Sequence, residues 1–322
     1  MIIAGIDEAG YGPLLGPLVV GCSAFAIPHT HPDTLPCVWT ALAKVVSKTR
    51  CKKGQRLHIN DSKAVYSPAS GLKELERSVL CIADQTLGRC DNFSAFLQQV
   101  DPELPAMLTD YPWYAESLDQ QFPLVTTDAA VRISANALKL ESQRTNTQCV
   151  HLQAHVLPER QFNFLCNKTR NKASTSFSLV ARHIDTLLRN FSDQHLTIVC
   201  DRQGGREHYG PLLRLMFEDW ALEVTHESEQ RSDYRLIQSG RRVRIIFCEK
   251  AESIALPVAA ASMVAKYLRE ALMHRFNTYW QHHCPGVKPT AGYYTDGKRF
   301  LTDTKTVREE MELQDSDLVR ER

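Results

Sequence analysis

Asp7 and Glu8 stand side by side behind an apolar run, Ile2 to Ile6, and ahead of a turn rich in glycine and proline: Gly10, Gly12, Pro13, Gly16 and Pro17. The pattern predicts two strands over residues 2–27 around a glycine turn. Carboxylates at the end of a strand core cost several kcal/mol unless they are paired or bound to a cation. Asp201 repeats the arrangement, because Leu196 to Cys200 is a short apolar run that delivers an acid. Hard oxygen donors of this kind suit Mg²⁺ or Mn²⁺. Two such ions about 3.5–4 Å apart can activate water and stabilise the leaving oxygen in phosphodiester hydrolysis. Adjacent residues on a regular strand point to opposite faces, so Asp7 and Glu8 are expected to share a site only if the chain turns there. Each acid also has a plain structural reading: a capped turn for Asp7-Glu8, and a turn aspartate for Asp201 ahead of Gly204-Gly205.

A fourth candidate lies on a helix opened by Pro257 and expected to run through about Trp280. Ser262, Lys266 and Glu270 are spaced i, i+4, i+8 and share one face of it. That spacing fits a functional Glu270 and equally a surface ion pair with Lys266. His151 and His155, four apart, have the spacing of two metal ligands on a helix, but no partner ligand accompanies them. Other chemistries fail on pattern. Gly10-x-Gly12 with Gly16 puts the third glycine one residue late for a dinucleotide fingerprint, and there is no phosphate-loop lysine motif, no Gly-x-Ser-x-Gly and no His-Glu-x-x-His.

The elements that must position these residues come from a chain of 322 residues, 43% hydrophobic, with a formal net charge of +1. That supports a large core and excludes a globally basic protein, so a nucleic-acid partner would be held by a local patch. The ten cysteines include no Cys-x-x-Cys pair, which argues against zinc and fits reduced thiols in a cytoplasmic protein. The N-terminus carries no secretory pattern, and no apolar run approaches the about 18 residues of a membrane span. A basic loop is expected over 48–56, with Lys48, Arg50, Lys52, Lys53 and Arg56. A helix follows Asn60-Asp61-Ser62-Lys63 to about Leu87, and residues 90–128, with four prolines and the cluster Tyr111, Trp113 and Tyr114, read as an insertion. Residues 168–190 begin basic (Lys168, Arg170, Lys172) and continue as a helix, and Ile245 to Cys248 is another strand. From Thr302 the chain is highly charged and reads as a solvated helix or disordered tail, 302–322, behind a catalytic domain of residues 1–301.

Several of these segments resemble the type 2 ribonuclease H family, ribonucleases HII and HIII. Asp7-Glu8-Ala9-Gly10-Tyr11-Gly12-Pro13 is similar to the family's opening Asp-Glu-Ala-Gly-Arg-Gly-Pro, and Asp61-Ser62-Lys63 to its Asp-Ser-Lys turn. Val199-Cys200-Asp201 resembles the strand presenting the third acid. Lys250-Ala251-Glu252-Ser253 and Val258 to Lys266 resemble the family's alanine-rich helix, and Gly292-Tyr293-Tyr294-Thr295 its late Gly-Tyr-x-Thr. The matches fall in the family's order over residues 2 to about 301.

The resemblance implies an α/β ribonuclease H-like fold: a central mixed sheet flanked by helices, here with an inserted segment. It implies a cytoplasmic, monomeric enzyme that uses Mg²⁺ or Mn²⁺, two ions, to cut RNA–DNA hybrids or ribonucleotide-containing duplexes on the 5′ side of a ribonucleotide. The products would be a 3′-hydroxyl and a 5′-phosphate. It makes Asp7, Glu8 and Asp201 catalytic metal ligands. The fourth is Glu270 on the alanine-rich helix, or Glu207 if the arrangement follows ribonucleases HIII. Gly10, Tyr11, Gly12, Ser62, Lys63, Lys168, Arg170, Lys266 and Tyr293 are the expected substrate contacts. The chain departs from the family at Tyr11, where the family has arginine, and Arg202-x-x-x-Arg206 offers a replacement charge. Two other readings remain: the same metal site with a different nucleic-acid substrate, and a non-catalytic nucleic-acid-binding protein.

Overall fold

The computed structural model describes residues 1–28, 34–51, 56–115 and 122–321. Lys52 and Lys53 of the expected basic loop lie outside them. The first two strands are β1 (Ile2–Ala9) and β2 (Leu18–Ala26), hydrogen-bonded antiparallel across the glycine turn. A short helix α1 (Val38–Ala41) and a two-residue pair, β3 (Val46–Ser47) with β4 (Leu57–His58), precede α2 (Ser62–Val65) and α3 (Lys73–Ala83). The described residues of 90–128 include α4 (Phe93–Val100), α5 (Leu104–Leu108) and α6 (Pro112–Ala115), and Tyr111, Trp113 and Tyr114 are fully buried in the core.

Then come α7 (Asp128–Thr145), β5 (Gln148–Leu157), α8 (Glu159–Thr169), α9 (Lys172–Asn190) and β6 (Leu196–Asp201). His151 and His155 therefore lie on a strand rather than a helix, and His155 stacks on buried His183 with ring centroids 4.2 Å apart. After α10 (Gly210–Met216), the strands β7 (Ala221–Glu227), β8 (Arg231–Gln238) and β9 (Arg241–Cys248) complete the sheet. The C-terminal helices are α11 (Ala251–Ile254), α12 (Leu256–His283), α13 (Tyr294–Asp303), α14 (Lys305–Glu310) and α15 (Asp315–Leu318). No helix among the described residues is long and apolar enough to cross a membrane.

The main sheet has seven strands in the order β5-β2-β1-β6-β9-β8-β7. It is mixed: β6 runs parallel to both β1 and β9, and the remaining neighbours are antiparallel. This is the central mixed sheet with helices on its faces that the sequence led us to expect. Because β1, β6 and β9 are parallel, their C-terminal ends open on one edge of the molecule, where parallel sheets deliver side chains to a site.

Alternation along β1 divides the two cores. Ile3 faces the cluster that includes α12, whereas Ile2, Ala4 and Ile6 face the cluster built on α9. The alanine-rich start of α12 is dictated by contact. A Cβ on Gly5 would lie 2.1 Å from the Val258 amide nitrogen, and one on Gly21 would lie 2.3 Å from the Ala261 carbonyl oxygen. Glycine on the sheet and alanine on the helix let the two backbones approach this closely. The approach fixes α12 against the end of β1 that carries Asp7.

Candidate active site

Asp7 and Glu8 both belong to β1, and the chain does not turn between them. They reach one site differently from the sequence expectation. Glu8 points to the α9 side, where Oε2 accepts from Gln203 Nε2 at 2.5 Å and from the Ser176 hydroxyl at 3.1 Å. Asp7 points to the α12 side, where the Ser262 hydroxyl stands against it, and its Oδ1 accepts the Glu8 amide at 2.7 Å. At the end of the strand the two faces meet, and both acids line one cavity of about 460 Å³.

Asp201, the last residue of β6, also lines the cavity, and its Oδ1 accepts from the Ala251 amide at 3.1 Å. Asp61 and Glu252 complete the acidic lining. Asp61 caps α2 by accepting from the Lys63 amide, which turns the α2 segment into the cavity, and buried Ser62 meets Ser262 at 3.0 Å. The carboxylates resist ionisation together. Burial pushes Asp7 well above the usual range, and the charge of Asp201 adds to the shift. Burial raises Glu8, against the hydrogen bonds from Gln203 and Ser176. Asp201 and Glu252 are also raised by burial, and Asp61 pushes on both, while the charge of Lys63 opposes.

Of the expected fourth acids, neither Glu270 nor Glu207 lines the cavity. Glu270 accepts from Lys266 Nζ at 2.6 Å and from the Tyr66 hydroxyl at 2.9 Å, so its charge is satisfied within the helix surface. Glu252 lines the cavity. The signal for it was available: it follows the strand Ile245 to Cys248 by four residues, a third acid delivered past a parallel strand end. Gln203, two residues beyond Asp201, had the same address, whereas nothing in the spacing marked Ser176.

Gly10, Tyr11, Gly12, Ser62, Lys63, Lys266 and Tyr293 all line the cavity, joined by Lys250 and Arg269. Lys168 and Arg170 do not: Lys168 lies over the Phe164 ring at 4.2 Å, and Arg170 ends α8 in the left-handed conformation. Arg202 turns away to Glu249 at 2.7 Å, while Arg206 sits near Tyr209 and adds positive charge toward Tyr11. Lys172 is placed 4.7 Å above the Tyr11 ring. The two loop glycines differ. Gly10 has φ +87°, and a Cβ there would strike Arg269 Nε at 2.5 Å, so packing demands glycine. A Cβ on Gly12 would meet nothing within 4 Å beyond its chain neighbours, so that side of its backbone faces open space.

The donor set is all oxygen, partly buried and mutually repelling, which is the chemistry that a hard divalent cation relieves. Asp7, Asp201 and Glu252 on the α12 side, with Glu8 from the α9 side, fit such an ion. Among the described residues no three acidic, histidine or cysteine side chains already close into a metal cage.

No family model matches the chain, and no curated protein does. Among solved structures it is similar to a chain of the PCNA:RNase HII complex from Archaeoglobus fulgidus, with 14% identity and a TM-score of 0.46 over 100% of this chain and 95% of that one. It is also similar to Bst-RNase HIII in complex with Mn²⁺, with 16% identity and a TM-score of 0.43 over 99% of this chain and 66% of that one. Ribonuclease H2 from Pyrococcus horikoshii OT3 has 14% identity and a TM-score of 0.42, over 99% and 92% of the two chains.

Proposed function

We propose that this chain is a metal-dependent endonuclease of the type 2 ribonuclease H kind, which hydrolyses RNA–DNA hybrids or duplexes with embedded ribonucleotides. The observation that carries the reading is the group of carboxylates with raised proton affinity at the ends of β1 and β6 and just past β9, beside an open glycine loop. Asp7, Glu8, Asp201 and Glu252 are the residues that would hold Mg²⁺ or Mn²⁺. When bound, the metal supplies Lewis-acid chemistry, activating water and stabilising the leaving oxygen.

The chain's own residues do the rest. Lys63, Lys250 and Lys266 set positive charge around the acids, where it can meet backbone phosphates, and the buried Arg269 adds its charge from behind. The exposed Gly12 backbone, whose Cβ position opens on free space, is where a sugar edge with its 2′-hydroxyl can approach. Tyr293, 55% exposed at the rim, offers a ring for a base or sugar to stack on. The test is cleavage of a single-ribonucleotide duplex and a uniform RNA–DNA hybrid with Mg²⁺ or Mn²⁺. Products ending in 3′-hydroxyl and 5′-phosphate are expected, and failure to cut either substrate with either metal would overturn the reading.

One observation favours a second reading, the same site with another nucleic-acid substrate. Where the family has arginine, Tyr11 lies beneath Lys172, so the cation here is set back on α9. Matched duplexes with and without 2′-hydroxyls separate the two, since equal cleavage of both selects the second.

A further inference from the structure

Residues 315–321 reach back to the glycine loop. Arg320 is only 2% exposed. Its guanidinium donates to the Pro13 carbonyl from Nε at 3.2 Å and also from Nη2, which lies 3.5 Å from the Tyr11 carbonyl. Its backbone amide donates to the Leu14 carbonyl at 2.8 Å. One residue thus engages three carbonyls of the loop that presents Gly12 to the cavity.

The segment itself is anchored to α8. Asn163 donates from Nδ2 to the Ser316 and Val319 carbonyls at 2.9 and 2.8 Å, and its Oδ1 accepts the Glu321 amide at 2.7 Å. Arg160 pairs with Asp317 at 2.9 Å, Leu318 is fully buried, and the Arg320 guanidinium lies 4.7 Å above the Phe162 ring. The far end of the loop is held from α8 too, where Glu159 Oε1 accepts the Gly16 amide at 3.0 Å and the Tyr114 hydroxyl at 2.8 Å. A buried guanidinium is costly beside a second one, and Arg269 already occupies this region. An apolar side chain would fill the volume without that cost, but it would leave the Pro13 carbonyl without its donors.

We infer that Arg320 is a positioning residue: it holds the Tyr11–Leu14 backbone in the shape in which the Gly12 edge meets the nucleic acid, so the 315–321 segment sets how well substrate is gripped. The inference rests on the nuclease reading for its functional half, and its structural half stands alone. The test uses Arg320→Ala, Arg320→Lys and Asn163→Ala. The last loosens the segment without leaving a charge-sized hole, and so covers the case in which Arg320→Ala does not fold.

Hydrogen exchange of the amides in residues 10–16 is expected to speed up in Arg320→Ala and Asn163→Ala, while β1 and α12 stay protected. In cleavage assays KM for the duplex is expected to rise about tenfold, with partial recovery in Arg320→Lys. A merely structural role lowers the folded fraction, and with it apparent kcat, but leaves KM alone. Unchanged exchange in a folded variant, or a loss confined to kcat, overturns the inference. If the unaltered protein cuts nothing, the nuclease reading fails, and the exchange result still decides whether the segment holds the loop.

Discussion

Asp7 and Asp233 sit in the same seven-stranded sheet and are driven in opposite directions. Asp233, on β8, is flanked by Arg244 at 2.5 Å and Arg231 at 3.0 Å, and despite its burial these guanidinium groups hold it below the usual carboxylate range. Among the described residues no cation pairs with Asp7, and burial together with Asp201 pushes it up. The arginine end of the sheet, where Arg235, Arg242 and Arg244 line one cavity with His195, is largely neutralised by Glu223 and Asp233. The acid end is left in excess. A charge already paired is explained by folding; a charge that folding makes worse needs a ligand to explain it.

The sharpest way to break this contrast is to neutralise one acid from each end. Asp7→Asn or Asp201→Asn is expected to lower cleavage on the order of a thousandfold while melting temperature holds or rises, because a repulsion is removed. Asp233→Asn is expected to leave cleavage nearly intact and to cost about 1–3 kcal/mol in chemical denaturation, because two arginines lose their counter-charge and one of its two acceptor oxygens. Equal loss of activity in both would erase the distinction.

The same contrast applies within one helix-and-loop segment. Glu252 is raised by burial and by its acidic neighbours, whereas Glu270 is tied to Lys266 and Tyr66. Glu252→Gln is expected to reduce cleavage about a hundredfold or more. Glu270→Gln is expected to cost about 1 kcal/mol of stability and little activity. Thermal shift with Mn²⁺ sharpens the point without any turnover: the metal should raise the melting temperature of Glu270→Gln as it does that of the unaltered protein, and do so less for Glu252→Gln. The reverse pattern would return the fourth position to Glu270.

Much of this was legible in the residues, and the failures have physical causes. Apolar runs ending in acids located β1 and β6, and the alanine-rich helix was read within a few residues of α12 because proline and small residues marked its start. Helical register puts Ser262, Lys266 and Glu270 in one row, yet Ser262 and Lys266 line the cavity while Glu270 lies beside it, paired with Lys266. Lys168 and Arg170 were chosen by charge, but the turn between α8 and α9 leaves them outside. The acidic stretch from Thr302 does keep Glu309, Glu310 and Asp315 exposed, as a solvated segment should. What charge composition hides is the inward turn of Leu318 and Arg320, because the carbonyls that Arg320 meets, at Tyr11, Pro13 and Leu14, are some three hundred residues away in sequence.

A last comparison sets two carboxylates apart by pH alone. Burial raises Glu159 to about 7, against the hydrogen bonds it accepts and the nearby charge of Arg320. The folded state therefore binds its proton more tightly than the unfolded chain, whose carboxyl titrates near 4.5. Stability from this group is complete below about 4.5 and is lost as pH rises through about 7, amounting to roughly 3 kcal/mol. Asp233 has the opposite sign: its folded value is depressed, so its contribution is present above the unfolded value of 3.8 and is lost as pH falls below it. Urea denaturation between pH 5 and 8 should thus show a decline that Glu159→Gln lessens, leaving the share of Asp101, which burial raises to about 6, and of the cavity acids, and that Asp233→Asn leaves unchanged in slope. A decline undiminished in Glu159→Gln would place all of the titration elsewhere, and would mean that Glu159 holds the Gly16 amide as a carboxylate throughout.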